Sequence, residues 1–184
     1  MQTLRTRFSM LLLVLLTGLS VGVASAQPAK KITRELPLAS PVEVQKSWDE
    51  QQQNIESVEK LLAESGQPYI NAGKGVWVIR RHGENLNFQL VLYTEADSLF
   101  TEVIVAKGKS LKLDEAKPYV LGLAKEMEHV KLGFDKDDDL VVRNELLVKS
   151  LAVDELKTNI ERVATAADKL YPKLQQFRIS FKVN

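Results

Sequence analysis

The sequence predicts an α+β domain, an antiparallel sheet with flanking helices in the order α-βββ-α-ββ-α, closing on a short C-terminal strand. Three observations predict it. Apolar residues recur at helical spacing from Val44 to Leu62 and again from Leu156 to Leu174. Short β-branched and aromatic runs lie between those helices, separated by turn residues. The runs fall into a group of three and a group of two rather than being scattered through the chain.

Residues 1–26 stand apart from this domain. Arg5 and Arg7 precede an apolar stretch from Met10 to Val23, and Ala24-Ser25-Ala26 offers small residues for cleavage. This pattern predicts a cleaved secretory signal. The apolar stretch is shorter than the roughly 20 residues a spanning helix needs, so no stable membrane anchor is expected after cleavage. The expected route is general secretion, to the periplasm or the outside. Removal after Ala26 leaves 158 of the 184 residues, with 23 basic against 24 acidic side chains. A chain so near neutrality gives no reason to expect a nucleic-acid partner. It contains no cysteine, so its stability rests on a packed core and no thiol chemistry is available.

Gln27 to Ala39, with lysines and two prolines, predicts a flexible linker, and residues 40–184 a single domain. Ser40-Pro41 predicts the start of the first helix, and Gly66 with Pro68 its end. Val76–Arg81, Leu86–Tyr93 and Leu99–Ala106 predict three strands joined by turns at His82–Asn85 and Glu95–Ser98. The second helix is expected from about Lys117 to Glu128, with Pro118 in its first turn. Val130–Phe134 and Leu140–Leu146 read as two further strands. Leu156, Ile160, Val163, Ala167, Leu170 and Leu174 form the stripe of the last helix, with Asp154 as its N-cap and Pro172 ending or kinking it. Phe177, Ile179, Phe181 and Val183 then alternate as a terminal strand.

Chemistry-bearing groups are few. Phe134 to Arg143 contains four aspartates, three of them in D-x-D-x-D spacing, but a calcium loop starting at Asp135 requires glycine and glutamate where Leu140 and Leu146 stand. A hairpin turn without a specific metal site is expected. His82 falls in a predicted turn and His129 at a predicted helix end. No nucleophile elbow or zinc-binding HExxH motif occurs, and Asn71–Gly75 lacks the spacing of a phosphate loop. Arg80-Arg81 and Lys107-Gly108-Lys109 read as solvated charges at strand ends. No catalytic residue and no cofactor site emerge. On the sheet, Leu86, Phe88, Leu90 and Leu92 share one face, whereas Val91, Tyr93, Val103 and Val105 share the opposite parity. These four are the candidate binding or dimer face, because an apolar second face needs a cover.

The element order, the helix ending Glu64-Ser65-Gly66, the hairpin from Asp139 to Leu147 and the closing run from Ala166 to Leu174 resemble the YbjN and type III secretion chaperone-like (Tir chaperone-like) domains. The resemblance spans Ile55 to Leu174. It implies a non-enzymatic binding module, a homodimer that holds an unknown polypeptide partner along apolar surface. Secretion chaperones act in the cytoplasm, whereas this chain carries an export pattern, so only the general mode of polypeptide binding carries over. The alternative is an exported binder of an apolar small molecule or lipid held between sheet and helices.

Overall fold

The computed structural model describes residues 41–179. The expected signal, the linker and the end of the terminal strand lie outside them. Three α-helices and one six-stranded antiparallel sheet are described: α1 (Pro41–Ser65), β1 (Ile70–Gly73), β2 (Val76–His82), β3 (Asn87–Glu95), β4 (Ser98–Ala106), α2 (Leu113–Ala124), β5 (Lys131–Phe134), β6 (Leu140–Leu147) and α3 (Val153–Leu170). The spatial order is β1-β2-β3-β4-β6-β5. The α+β class is therefore as the sequence predicts, with one strand more.

That extra strand, β1, overlaps the Asn71–Gly75 segment, in which the sequence predicts no strand. Its four residues are all exposed, so no apolar alternation announces it. It pairs with β2 through Ile70↔Val78 and Asn71↔Trp77. Gly75, at φ +70°, makes the turn between them; a Cβ there would meet Thr94 Oγ1 at 2.7 Å and Ile55 at 3.2 Å.

The helices cover one face of the sheet. α3 lies against β4 and β6, α1 against α3 and β3, and α2 against β5. Between the layers Trp77, Leu90, Leu92, Leu99, Leu140 and Val142 from the strands meet Leu62, Leu156, Ile160, Val163 and Leu170 from the helices, all at 0% exposure. Each side chain of this size contributes about 1.5–3 kcal/mol on burial. A polar link crosses the same layer. Asn159 Nδ2 donates to Thr101 Oγ1 at 2.9 Å, and Asn144 Nδ2 donates to Asn159 Oδ1 at 2.7 Å. This sets the register of α3 on β4 and β6, because a shifted helix would strand buried amides.

Several boundaries differ from the sequence reading, among them the end of α2, at Ala124 rather than about Glu128. α2 begins at Leu113, a turn earlier, with Asp114 and Glu115 at its positive end, which places Pro118 in the helix interior. The N-cap of α3 is Ala152, with Asp154 inside the first turn. After Leu170 the chain tightens into a 3₁₀ helix from Tyr171 to Phe177 with Pro172 near its start. Among the described residues the expected terminal strand is then represented by one bridge, Arg178 opposite Leu111. Phe177 is occupied against Tyr119, with ring centroids 5.0 Å apart.

Candidate functional site

The face of the sheet away from the helices is the candidate site, and the strand registers decide who stands on it. Val91 is opposite Val78 on one side and Glu102 on the other; Glu102 is opposite Arg143, and Arg143 opposite Lys131. The next row runs Val76, Tyr93, Phe100, Glu145. Directly paired residues share a face. Val91 and Tyr93 therefore lie on the open face with the even-numbered residues of β4, Phe100, Glu102 and Ile104.

Val103 and Val105 do not join them. They are 1% and 4% exposed, in the core under the helices. The equal parity of 91, 93, 103 and 105 misleads because the β3–β4 pairs sum to an odd number, Val91 with Glu102 and Tyr93 with Phe100. Each odd residue of β3 thus faces an even one of β4. The turn geometry sets that offset, and parity along each strand cannot show it.

The open face divides into two halves. Over β2 to β4 it is mostly apolar, interrupted by Glu102 and the exposed Arg80–Gln89 pair: Val76, Val78, Val91, Tyr93 and Phe100 are half-buried and Ile104 is 40% exposed. Tyr93 and Phe100 stack with centroids 5.1 Å apart and planes within 15°. Over β6 and β5 it is ionic. The Arg143 guanidinium stands 6.0 Å from the Phe100 ring centre, and Lys131 Nζ donates to Glu145 Oε2 at 3.1 Å. Burial raises the Glu102 carboxyl above its ordinary range, opposed by Arg143. Burial and the Glu102 charge likewise raise the Tyr93 hydroxyl.

The other sequence candidates serve the fold. Asp135–Asp139 is the turn between β5 and β6. Asp135 Oδ1 accepts from the Asp137 and Asp139 N–H groups, both at 2.9 Å, and Asp138 adopts φ +58°. Lys117 donates to Asp138 at 2.7 Å, and Asp139 accepts from Lys107 at 2.6 Å and from the Gly108 N–H at 3.0 Å. The Asp135, Asp138 and Asp139 carboxylates thus answer their own backbone and neighbouring lysines. Arg81 pairs with Glu161 of α3. His82 Nδ1 lies 3.1 Å from Asn87 Oδ1 in an exposed position. His129 lies five residues beyond the end of α2, at φ +67°, and not at a helix terminus as the sequence predicts.

Sequence reasoning passed over Asp168, which accepts from the N–H groups of Asn85 and Leu86 at 2.9 Å and of Glu84 at 3.2 Å. It ties the β2–β3 turn to α3. An aspartate interrupting the polar side of a helical stripe carries no signal of that role.

The fold and this face define a class: a small α+β domain with an open antiparallel sheet, covered on one side and presenting a mixed apolar and ionic surface on the other. The family model that matches the chain is YbjN, described as "Putative bacterial sensory transduction regulator", over residues 54–176. The chain belongs to the YbjN family. No curated protein matches it. Among solved structures, it is similar to YbjN from E. coli at 10% identity and a TM-score of 0.51, with 68% of this chain and 95% of that one covered. A chain of the HopA1–SchA chaperone–effector complex matches at 16% identity and 0.49, covering 65% and 96%. A chain of the ExoU–SpcU complex from the type III secretion system of Pseudomonas aeruginosa matches at 20% and 0.47, covering 65% and 98%.

Proposed function

We propose that the protein is an exported, non-enzymatic binding module that holds an extended polypeptide against the open face of its sheet. One observation carries the reading: the helix-free face bears the Tyr93–Phe100 stack beside Val78, Val91 and exposed Ile104, bordered by Arg143, Lys131 and Glu145. A partner lying there finds apolar surface for its side chains and charges of both signs at the border, the usual arrangement of a binding surface. The corrected set of binding residues is thus Val91, Tyr93, Phe100 and Ile104.

The alternative, an apolar small molecule between sheet and helices, gains no support from that layer, which fully buried side chains occupy. Export rests on Arg5, Arg7, the apolar stretch 10–23 and Ala24-Ser25-Ala26. Among the described residues, no helix is long and apolar enough to cross a membrane.

The test is fluorescence anisotropy with a reduced, carboxymethylated polypeptide as the unfolded probe. Ile104→Lys places a charge at the centre of the face without entering the core, so binding should weaken at least about tenfold, or roughly 1.4 kcal/mol. Unchanged binding by a folded Ile104→Lys variant would sink the reading. Export is tested separately: the intact mass of the secreted protein should match a chain beginning at Gln27, and recovery of the full-length chain refutes it.

A further inference from the structure

One carboxylate on the open face has no partner in the surface around it. Glu102 stands in the row Val78, Val91, Glu102, Arg143, Lys131, at the border between the apolar and ionic halves. Val91 lies beside it on β3, and Phe100 and Ile104 precede and follow it on the same face of β4. It is half-buried, so its charge is solvated from the open side alone. Arg143, directly opposite on β6, closes no ion pair with it; the guanidinium lies over Phe100 instead, 6.0 Å from the ring centre. No ion pair among the described residues includes Glu102.

The other titratable groups of this face are spoken for or distant. Lys131 of β5 and Glu145 of β6 answer each other, and Asp135, in the turn after β5, accepts from its own backbone. Tyr93 of β3 stacks on Phe100. Arg80 is exposed on β2, two strands away, and His82 is exposed at the far end of the same strand. Arg143 and Arg80 are therefore the unpaired cations nearest Glu102 on the face.

A segment laid across Val91, Phe100 and Ile104 takes the water from Glu102 as well, and a carboxylate that loses its water without gaining a partner is costly to bury. Either a cation from the partner or a proton relieves that cost. The cation would enter beside Arg143, where like charge repels it. The proton meets no such opposition, and burial already favours it over the opposing charge of Arg143.

We infer that Glu102 gates the open face by taking up a proton: a partner segment seats over it with the carboxyl neutral, and the face holds uncharged apolar segments more tightly as pH falls. This rests on the polypeptide-binding reading above and adds what regulates it. The gain appears as pH falls through the value of the covered carboxyl and is complete below that of the uncovered one, at no more than about tenfold per pH unit for one proton.

The test is fluorescence anisotropy with a rhodamine-labelled, end-blocked peptide of valine, leucine, serine and glutamine, whose side chains do not titrate. From about pH 7.5 to about pH 5.5 the wild-type dissociation constant should fall at least about threefold, and calorimetry in buffers of different ionisation enthalpy should show proton uptake on binding. Glu102→Gln keeps the shape without the charge. With unchanged circular dichroism, it should bind at the higher pH as tightly as the wild type does at the lower, without pH dependence or proton uptake. His82→Asn should keep the wild-type dependence, and Ile104→Lys should weaken binding at both pH values. Equal binding at both pH values, weaker binding on acidification, or a dependence that Glu102→Gln retains or His82→Asn abolishes overturns the inference and leaves the sheet-face reading standing. A wild type that binds the peptide at neither pH, or an Ile104→Lys variant that binds it unchanged, overturns both.

Discussion

The Asp168 carboxylate holds a whole turn. The bond from the Asn85 N–H, joined by those of Leu86 and Glu84, keeps this carboxyl below its ordinary range. Such a group contributes stability above its unfolded pKa, about 4, and the contribution is lost as pH falls through the lower folded value. Asp168→Asn keeps the shape but turns one oxygen into a donor facing donors. The variant should melt several degrees lower at neutral pH, and its deficit should shrink as the wild type is acidified below the ordinary carboxylate range. A deficit that does not change with pH would show that packing, not the charge, matters there. Gly83 explains why the turn is tight: a Cβ there would collide with Asp168 Oδ1 and meet the Leu86 carbonyl at 3.0 Å. At the other end of the sheet Asp139 does similar service. Burial opposes its ionisation, but the bonds from Lys107 and the Gly108 N–H prevail and hold its carboxyl below the ordinary range. Asp139→Ala leaves the buried Gly108 N–H without that acceptor and should cost about 1–3 kcal/mol in chemical denaturation.

Elements show where local pattern suffices and where it does not. The stripe of α3 was legible residue by residue: Leu156, Ile160, Val163, Ala167 and Leu170 are all 0% exposed, and Leu174, equally buried, continues it in the 3₁₀ helix beyond. Strong periodicity survives because α3 spans the middle of the sheet and must bury that face. α2 was displaced because Pro118 reads as a helix start, whereas the helix accommodates it as its sixth residue. A proline there gives no N–H to the carbonyl of Asp114, a cost of roughly 3 kcal/mol in an ordinary helix interior. Proline also restricts the unfolded chain, worth about 0.4–1 kcal/mol in the opposite sense. The first effect is larger, so Pro118→Ala should raise the denaturation midpoint, and a lowered midpoint would mean that the bend itself positions α2 on β5. The acidic turn behaves as its residues suggested. The Asp135, Asp138 and Asp139 carboxylates are bonded to backbone and lysines, so millimolar calcium should leave the melting temperature nearly unchanged in the wild type and in Asp137→Asn alike, since only a ligand that prefers the folded state raises it. A rise of many degrees that Asp137→Asn abolishes would establish a metal site.

At the scale of the whole molecule, one sheet meets two environments, and the boundary between them runs along every strand. The sequence shows that both parities of β3 and β4 carry apolar residues, yet it does not show which parity of β4 joins which of β3. That depends on a turn two residues long, Ala96-Asp97, where Ala96 takes φ 52° and the flanking pair is Glu95↔Ser98. Half of the candidate face, Val91 and Tyr93, was therefore legible, and the other half, Val103 and Val105, was exchanged for Phe100 and Ile104. The exchange makes two adjacent valine-sized positions opposite in kind. Val103 is 1% exposed, directly opposite Val142 beneath the helices, whereas Ile104 is 40% exposed on the open face. Lysine at 103 must either bury an ammonium without a partner or open the helix layer, at a cost of several kcal/mol against a total stability of about 5–15 kcal/mol. Lysine at 104 projects into water beside Val141, where surface substitutions change stability by about 0.5 kcal/mol or less. Val103→Lys should therefore lose the cooperative thermal transition or melt far lower, while Ile104→Lys melts close to the wild type. Equal melting temperatures for the two variants would mean that both faces of β4 are accessible, and the open face could then no longer be told apart from the core.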